Sequence, residues 1–237
     1  MKRFSFFLLS IAFLSGCKSF WNYHTVPPNN NLFANAGETQ VTGTYGTGGM
    51  NAQAGFAVTK NFSLLGNYGG SLGADGYHSK EGEFGIGFNT SRENHKMLFG
   101  VSAGYGLGNN FFQDSGVTYK DFRGSFTKPF VMLTFGSASI GSGKIQADAA
   151  MSLKLNYITY NGFKQSSPNP ADQTTFKAGT FYYEPYFSGS GGGKHVRFCY
   201  GMGFAFKNLN DAGKGMRIYP FHLNMGILIV IGRKYGQ

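Results

Sequence analysis

From Lys96 to Gly108 the chain reads KMLFGVSAGYGLG, and taking every second residue separates two unlike faces. Met97, Phe99, Val101, Ala103, Tyr105 and Leu107 form an apolar row, while Leu98, Gly100, Ser102, Gly104, Gly106 and Gly108 form a nearly bare one. A period of two is the side-chain period of an extended strand. In a soluble sandwich the face opposite the core would carry hydrated Lys, Glu or Thr, and here it carries glycine. Small residues suit the interior of a narrow closed barrel, which leaves the apolar row for lipid.

The rest of the chain repeats the pattern. Ala52, Ala54, Phe56 and Val58 alternate with smaller or polar neighbours, as do Phe84, Ile86 and Phe88 with Glu83, Gly85 and Gly87. The theme returns in residues 144–157, 196–207 and 219–231. In residues 120–136, Phe122, Phe126, Phe130 and Met132 are expected to face outward, and Lys128-Pro129 to mark a bulge or edge-like distortion. With 37 glycines, 17% aromatics and 14% charged residues the composition disfavours helices, since glycine costs about 1 kcal/mol against alanine in a helix interior. The fold expected is all-β, an up-and-down antiparallel transmembrane β-barrel of about ten strands, with eight the competing count. Connections after even-numbered strands are short and most after odd-numbered strands are longer. In outer-membrane barrels the short turns are periplasmic, which puts both ends of this barrel on the periplasmic side.

The N-terminus is processing, not fold. Lys2 and Arg3 precede an apolar run, Phe4 to Leu14, too short to span a bilayer, and Leu14-Ser15-Gly16-Cys17 follows. This tetrapeptide resembles the bacterial lipobox. The resemblance implies that residues 1–16 are a lipoprotein signal peptide, that cleavage precedes Cys17, and that Cys17 is acylated on its thiol and new amino group; an ordinary signal peptide is the alternative. By analogy with enteric bacteria, Lys18 does not favour inner-membrane retention. Residues 17–36 are expected to be an acylated N-terminus and tether, with Pro27-Pro28 and Asn29 to Asn31 supplying turn chemistry, and residues 37–237 the barrel. The tether should arrive on the side of the barrel ends. The lipobox, the Pro/Asn-rich tether, Gly37-Glu38-Thr39-Gln40 and the hairpin AQAGFAVTKNFSLLGNYG resemble outer-membrane β-barrel lipoproteins of Bacteroidota, most closely over about residues 14–70. That resemblance implies an outer-membrane location and says little about activity. With Cys17 acylated, Cys199 is the remaining thiol and should be sterically protected.

The inward parity collects Glu38, Glu83, Asp121, Arg123, Asp148, Lys154, Glu184, Arg197 and Lys207. Buried charges are tolerable when paired, so mixed signs on one face point to an ion-pair network plugging a narrow lumen; the competing role is a selectivity constriction in a pore. Gly189 to Lys194 looks superficially like a phosphate loop, but His195 stands where Ser or Thr belongs and a strand follows instead of a helix. The five histidines lack ligand spacing, so neither a metal nor any cofactor beyond the lipid on Cys17 is expected. A hydrolase could be imagined from His222 with Ser102 or Ser152 and Asp148. Tyr105, Tyr157, Tyr160, Tyr182, Tyr183, Tyr219 and Tyr235 lie at or near strand ends and suit an interfacial girdle. Once Lys2 and Arg3 leave with the signal, 19 of the 21 basic residues face 11 acids, a net +8 suited to anionic headgroups and lipopolysaccharide phosphates; nucleic acid is not an expected partner. These features favour a non-enzymatic structural or accessory subunit of an outer-membrane assembly, with a protein partner. The rivals are a small outer-membrane channel, an outer-membrane lipid hydrolase or acyltransferase, and a periplasmic lipocalin-like lipoprotein with its faces reversed.

Overall fold

The computed structural model describes residues 26–30, 32–71, 77–91, 97–114, 120–140, 145–166, 174–207 and 220–234. Ten strands follow one another: β1 Thr39–Gly46, β2 Gly49–Ala57, β3 Phe62–Gly70, β4 Tyr77–Ser91, β5 Met97–Asp114, β6 Lys120–Ile140, β7 Gln146–Ser166, β8 Thr174–Gly192, β9 Val196–Phe204 and β10 Phe221–Ile231. After Ala205, β9 resumes as the two-residue piece Phe206–Lys207, still paired with β8. Each strand is antiparallel to its sequence neighbours, and β10 returns to β1 in the register Thr39↔Ile231. The result is a closed, up-and-down, ten-stranded barrel with no helix among the described residues. Closure leaves the sheet without an edge strand, which an open sheet cannot achieve.

The two faces sort as the alternation demands. Outside stand Phe84, Phe88, Leu107, Val131, Phe135, Phe198 and Ile227, all exposed, and inside stand Gln40, Gln53, Asn67, Ser152, Asn156 and Asn224, all buried. The apolar face is therefore the outer one, and the lumen is polar. One rim, the terminal rim, holds the start of β1, the end of β10 and the short turns 58–61 and 193–195, and there β4 and β6 end and β5 and β7 begin. The opposite, loop rim holds the turn 47–48, the ends of β3, β5, β7 and β9 and the starts of β4, β6, β8 and β10, and β5 to β8 run furthest toward it.

Strand β6 reverses the expected parity. Phe126, Phe130 and Met132 face inward and are buried, while Val131, Leu133 and Phe135 face out. The reason lies on β5. A β-carbon on Gly108 would collide with the Phe126 ring, and one on Gly104 would lie 2.6 Å from Phe130 Cζ. The bare face of β5 is thus the seat for rings from β6, a complementarity that neither strand reveals alone. Pro129 pairs opposite Tyr105 with no register shift, so the expected bulge is not there; the ladder to β7 skips Lys128 and Pro129 and resumes in register at Phe130↔Asn156. The irregularities of β6 fall instead between Arg123 and Ser125 and between Ser137 and Ile140.

The stretch expected to be an external tether is, in its described part, inside the barrel. Val26 packs on Gly69 near the loop rim, with Thr47, Gly48 and Ser71 around the same small cavity. Phe33 packs with Ala57 and Leu65, and Leu32 with Leu98, Ala138 and Ala150, toward the terminal rim. Residues 26–30 and 32–34 therefore lie along the lumen from one rim to the other. Prolines suit that path because they bring no N–H group needing a partner. Gln53 Nε2 donates to the Pro27 carbonyl at 2.8 Å and Asn67 Nδ2 to the same oxygen at 2.9 Å. Asn29 Nδ2 donates to the carbonyls of Ala54 and Gly66, each at 2.9 Å, and Asn30 Nδ2 reaches Ser188 Oγ on the far wall at 3.2 Å. Gly37, at φ +77°, then turns the chain out into β1.

Candidate functional site

Two charged networks and the lumenal segment occupy the interior. In the first, Lys128 from β6 binds Glu81 and, at 2.6 Å, Glu83 of β4, and Lys154 from β7 binds Glu83 as well. Asn67 Nδ2 donates to Glu83 Oε2 at 3.2 Å, and Lys154 Nζ stands 4.5 Å above the Phe130 ring. Glu184 lies opposite Lys154 on β8 and is buried with it. The network thus crosses the barrel from β4 to β8. All its charged heads are withdrawn from water, so each pair relies on its geometry and neighbouring donors to offset desolvation.

The second network ties the chain's two ends together at the terminal rim. Gly232, at φ +76°, turns the chain inward after β10 and delivers Arg233 into the lumen. The Arg233 guanidinium contacts Glu38 Oε1 at 2.7 Å and both Asp148 oxygens at 2.8 and 2.9 Å. It also donates to the Leu32 carbonyl at 2.6 Å. Arg197 Nη1 shares Asp148 Oδ2 at 2.9 Å, and its Nε donates to the Gly193 carbonyl at 3.2 Å. Gln40 Nε2 bridges Glu38 Oε1 and the Leu32 carbonyl, and the Ala34 N–H donates to Glu38 Oε2. Burial works to lower the pKa of Arg233, but Asp148 and Glu38 outweigh it, raising the value above that of an ordinary arginine. A planar, bidentate cation suits this junction of two carboxylates and a carbonyl.

Of the lumen residues expected, Glu38, Glu83, Asp148, Lys154, Glu184 and Arg197 lie inside and fall into these two groups. Arg123 does not. It is exposed on the outer face, its guanidinium carbon 4.6 Å over the Phe111 ring, because the parity of β6 is reversed. His78 stacks against the same Phe111 ring, the centroids 5.9 Å apart, and Lys80 and Lys164 are exposed on the same outer side of the loop rim. Lys207 is half-buried on the short extension of β9. Cys17, Tyr219, Tyr235 and the side chains of Asp121 and Phe122 lie outside the described residues. Cys199 is buried on the inner face with Leu228 and Val230. Tyr160 and Tyr182, placed by sequence in a girdle, are fully buried inside, whereas Tyr105, Tyr157 and Tyr183 are exposed outside.

Glu81, Lys128 and Arg233 were not anticipated. Glu81 shares the parity of Glu83 and was legible by extending β4 two residues; Lys128 was hidden by the inverted face of β6. Nothing local in the sequence marks Arg233, since only the turn at Gly232 sends it inward.

The hydrolase grouping is not assembled. His222 is buried opposite Gly203 at the loop rim, Asp148 is engaged by Arg197 and Arg233 at the terminal rim, and Ser102 and Ser152 sit on β5 and β7. Gly189 to Lys194 ends β8 and enters the turn to β9. Among the described residues no cluster of His, Cys, Asp and Glu could hold a metal ion. The lumen's free space is divided: the cavity beside Pro28, Gln40 and Ser188 holds about 70 Å³, and one beside Asn29 and Glu83 about 10 Å³. The first admits a few waters and the second at most one. No protein-family model matches this chain, and no curated protein matches it either.

Proposed function

We propose that this chain is an outer-membrane β-barrel lipoprotein of the kind found in Bacteroidota, non-conducting, and acting as a structural or accessory subunit of an outer-membrane assembly. The observation that carries this is the filled lumen: residues 26–34 and two ion-pair networks occupy the space a solute would need. A barrel whose interior is spent on its own side chains works through its outer surface. The continuous apolar outer face suits a bilayer, and exposed His78, Lys80, Arg123 and Lys164 at the loop rim suit the phosphates of anionic headgroups or lipopolysaccharide. The outer wall also dips over Gly43, Ala52 and Gly226, a hollow of about 600 Å³ rimmed by Tyr45, Met50, Tyr68 and Met225, which gives a neighbouring membrane subunit a surface to key into.

Extraction in mild detergent tests the reading. The protein is expected to run as a compact band that shifts on boiling, to be electrically silent in planar bilayers, and to co-purify with a second outer-membrane protein. Conductance abolished by neutralising Glu83 or Arg197 would favour the channel instead, and a strictly monodisperse lone barrel would sink the assembly role.

A further inference from the structure

We propose that the N-terminal segment threads the barrel from the loop rim, so that Cys17 and the lipid it carries lie on the loop side, in the outer leaflet, opposite the rim where β1 begins and β10 ends. This rests on the outer-membrane reading above and reverses the simplest expectation for a tether, that it joins the barrel on the side of the barrel's own ends.

The argument starts from the direction of residues 26–34. Ala34 donates to Glu38 beside the start of β1, and Phe33 packs on Ala57, the last residue of β2 at the terminal rim. Val26 sits at the other end, against Gly69 and beside the Thr47-Gly48 turn and His222. The chain that precedes Val26 therefore leaves through the loop rim. Between Cys17 and Thr25 there are nine residues, which span at most about 30 Å when fully extended. To bring Cys17 back to the terminal side they would have to pass the lumen a second time, through cavities of about 70 Å³ and less. The outer route is closed as well. Irregular backbone crossing hydrocarbon leaves its N–H and C=O groups without partners, and this segment includes Lys18, Asn22 and His24. Long hairpins mark the outward side of outer-membrane barrels, and here β5–β6 and β7–β8 extend toward the rim by which the segment leaves.

A consequence concerns assembly. An acylated cysteine cannot be drawn through a closed lumen filled to this density, so the wall must close round the segment.

The experiment uses full-length protein in intact cells, with Cys199→Ala to remove the buried thiol. Ser19→Cys and, separately, Lys60→Cys on the β2–β3 turn at the terminal rim are treated with a membrane-impermeant maleimide before and after lysis. The expected result is full labelling of Ser19→Cys before lysis with no gain afterwards, and labelling of Lys60→Cys only after lysis. Protection of Ser19→Cys until lysis overturns the proposal, whatever Lys60→Cys does. Threading is checked independently in extracted protein by Asn30→Cys with Ser188→Cys, whose side chains meet across the lumen. A short bismaleimide is expected to join the two thiols and give a mobility shift, and its failure in a barrel that still shifts on boiling also overturns the proposal. Loss of the boiling shift in the Cys199→Ala parent would instead bring down the outer-membrane reading, and this inference with it.

Discussion

On β5 the outer residues Phe99, Val101 and Tyr105 are 38–49% exposed and touch whatever surrounds the barrel, whereas Gly104 and Gly108 on the inner side have no room for a methyl group. The contrast holds round the whole wall. The outer face is specified by its medium: any apolar side chain of strand-forming type satisfies it. The inner face is specified by particular partners, ring against glycine, amide against carbonyl, and carboxylate against a named cation. Substitutions should therefore be tolerated outside according to polarity and inside according to shape and pairing.

Removing Arg233 tests that difference most severely. Arg233→Ala leaves the buried Glu38 without its cation and half-buried Asp148 with Arg197 alone, and breaking a buried pair costs about 3–5 kcal/mol. The compact band should disappear at a markedly lower temperature, with Arg233→Lys intermediate because it keeps the charge without the fork. A band as heat-resistant as wild type would mean that the inner face does not depend on specific pairs. Outside, the corresponding insult is a charge at mid-wall. Leu133→Arg should cost about 2–4 kcal/mol in a bilayer, measured by reversible unfolding in lipid vesicles; an equal effect on the soluble protein would argue that the outer face does not meet lipid.

A smaller inner-face effect follows at Gly104. A β-carbon there would collide with the Phe84 carbonyl and lie 2.6 Å from Phe130 Cζ, so Gly104→Ala should destabilise by about 1–3 kcal/mol, with Phe130→Leu in the same chain recovering part of the loss. Unfolding midpoints of the single and double variants decide it; additive losses would break the proposed ring seat. The smallest effect is expected at Gly43, where an added β-carbon meets nothing within 4 Å on the outer side. Gly43→Leu should change stability by no more than about 0.5 kcal/mol while filling the outer hollow, so that the boiling shift survives and the co-purified partner is lost. Retention of the partner would place its contact elsewhere on the barrel.

Much of this was legible before any coordinates. Alternation of period two, the glycine-rich parity of β5 and the rhythm of the connections were enough for an antiparallel barrel of ten strands, because in a wall one residue thick each side chain must point either in or out. The inner position of Glu83, Asp148, Lys154, Glu184 and Arg197 followed from the same parity. Parity has no sign, however. On β6 both rows are apolar, and Phe126 and Phe130 are as oily as Val131 and Phe135. Only packing against Gly104 and Gly108 on the neighbouring strand decided which row turned inward, and it carried Lys128 in and Arg123 out.

Tertiary structure alone also decided the path of the N-terminal stretch. Pro27-Pro28 followed by asparagines is the composition of an exposed turn, and locally nothing distinguishes it from a plug. Its burial depends on donors from Gln53 and Asn67 and on Arg233 donating to the Leu32 carbonyl from some two hundred residues away. The sequence by itself determined that this chain would form strands with unlike faces able to close into a barrel, since on most strands that division follows from the strand's own alternation. What fills the barrel, and from which end, was decided by contacts between distant segments, because a lumen exists only once the wall has closed.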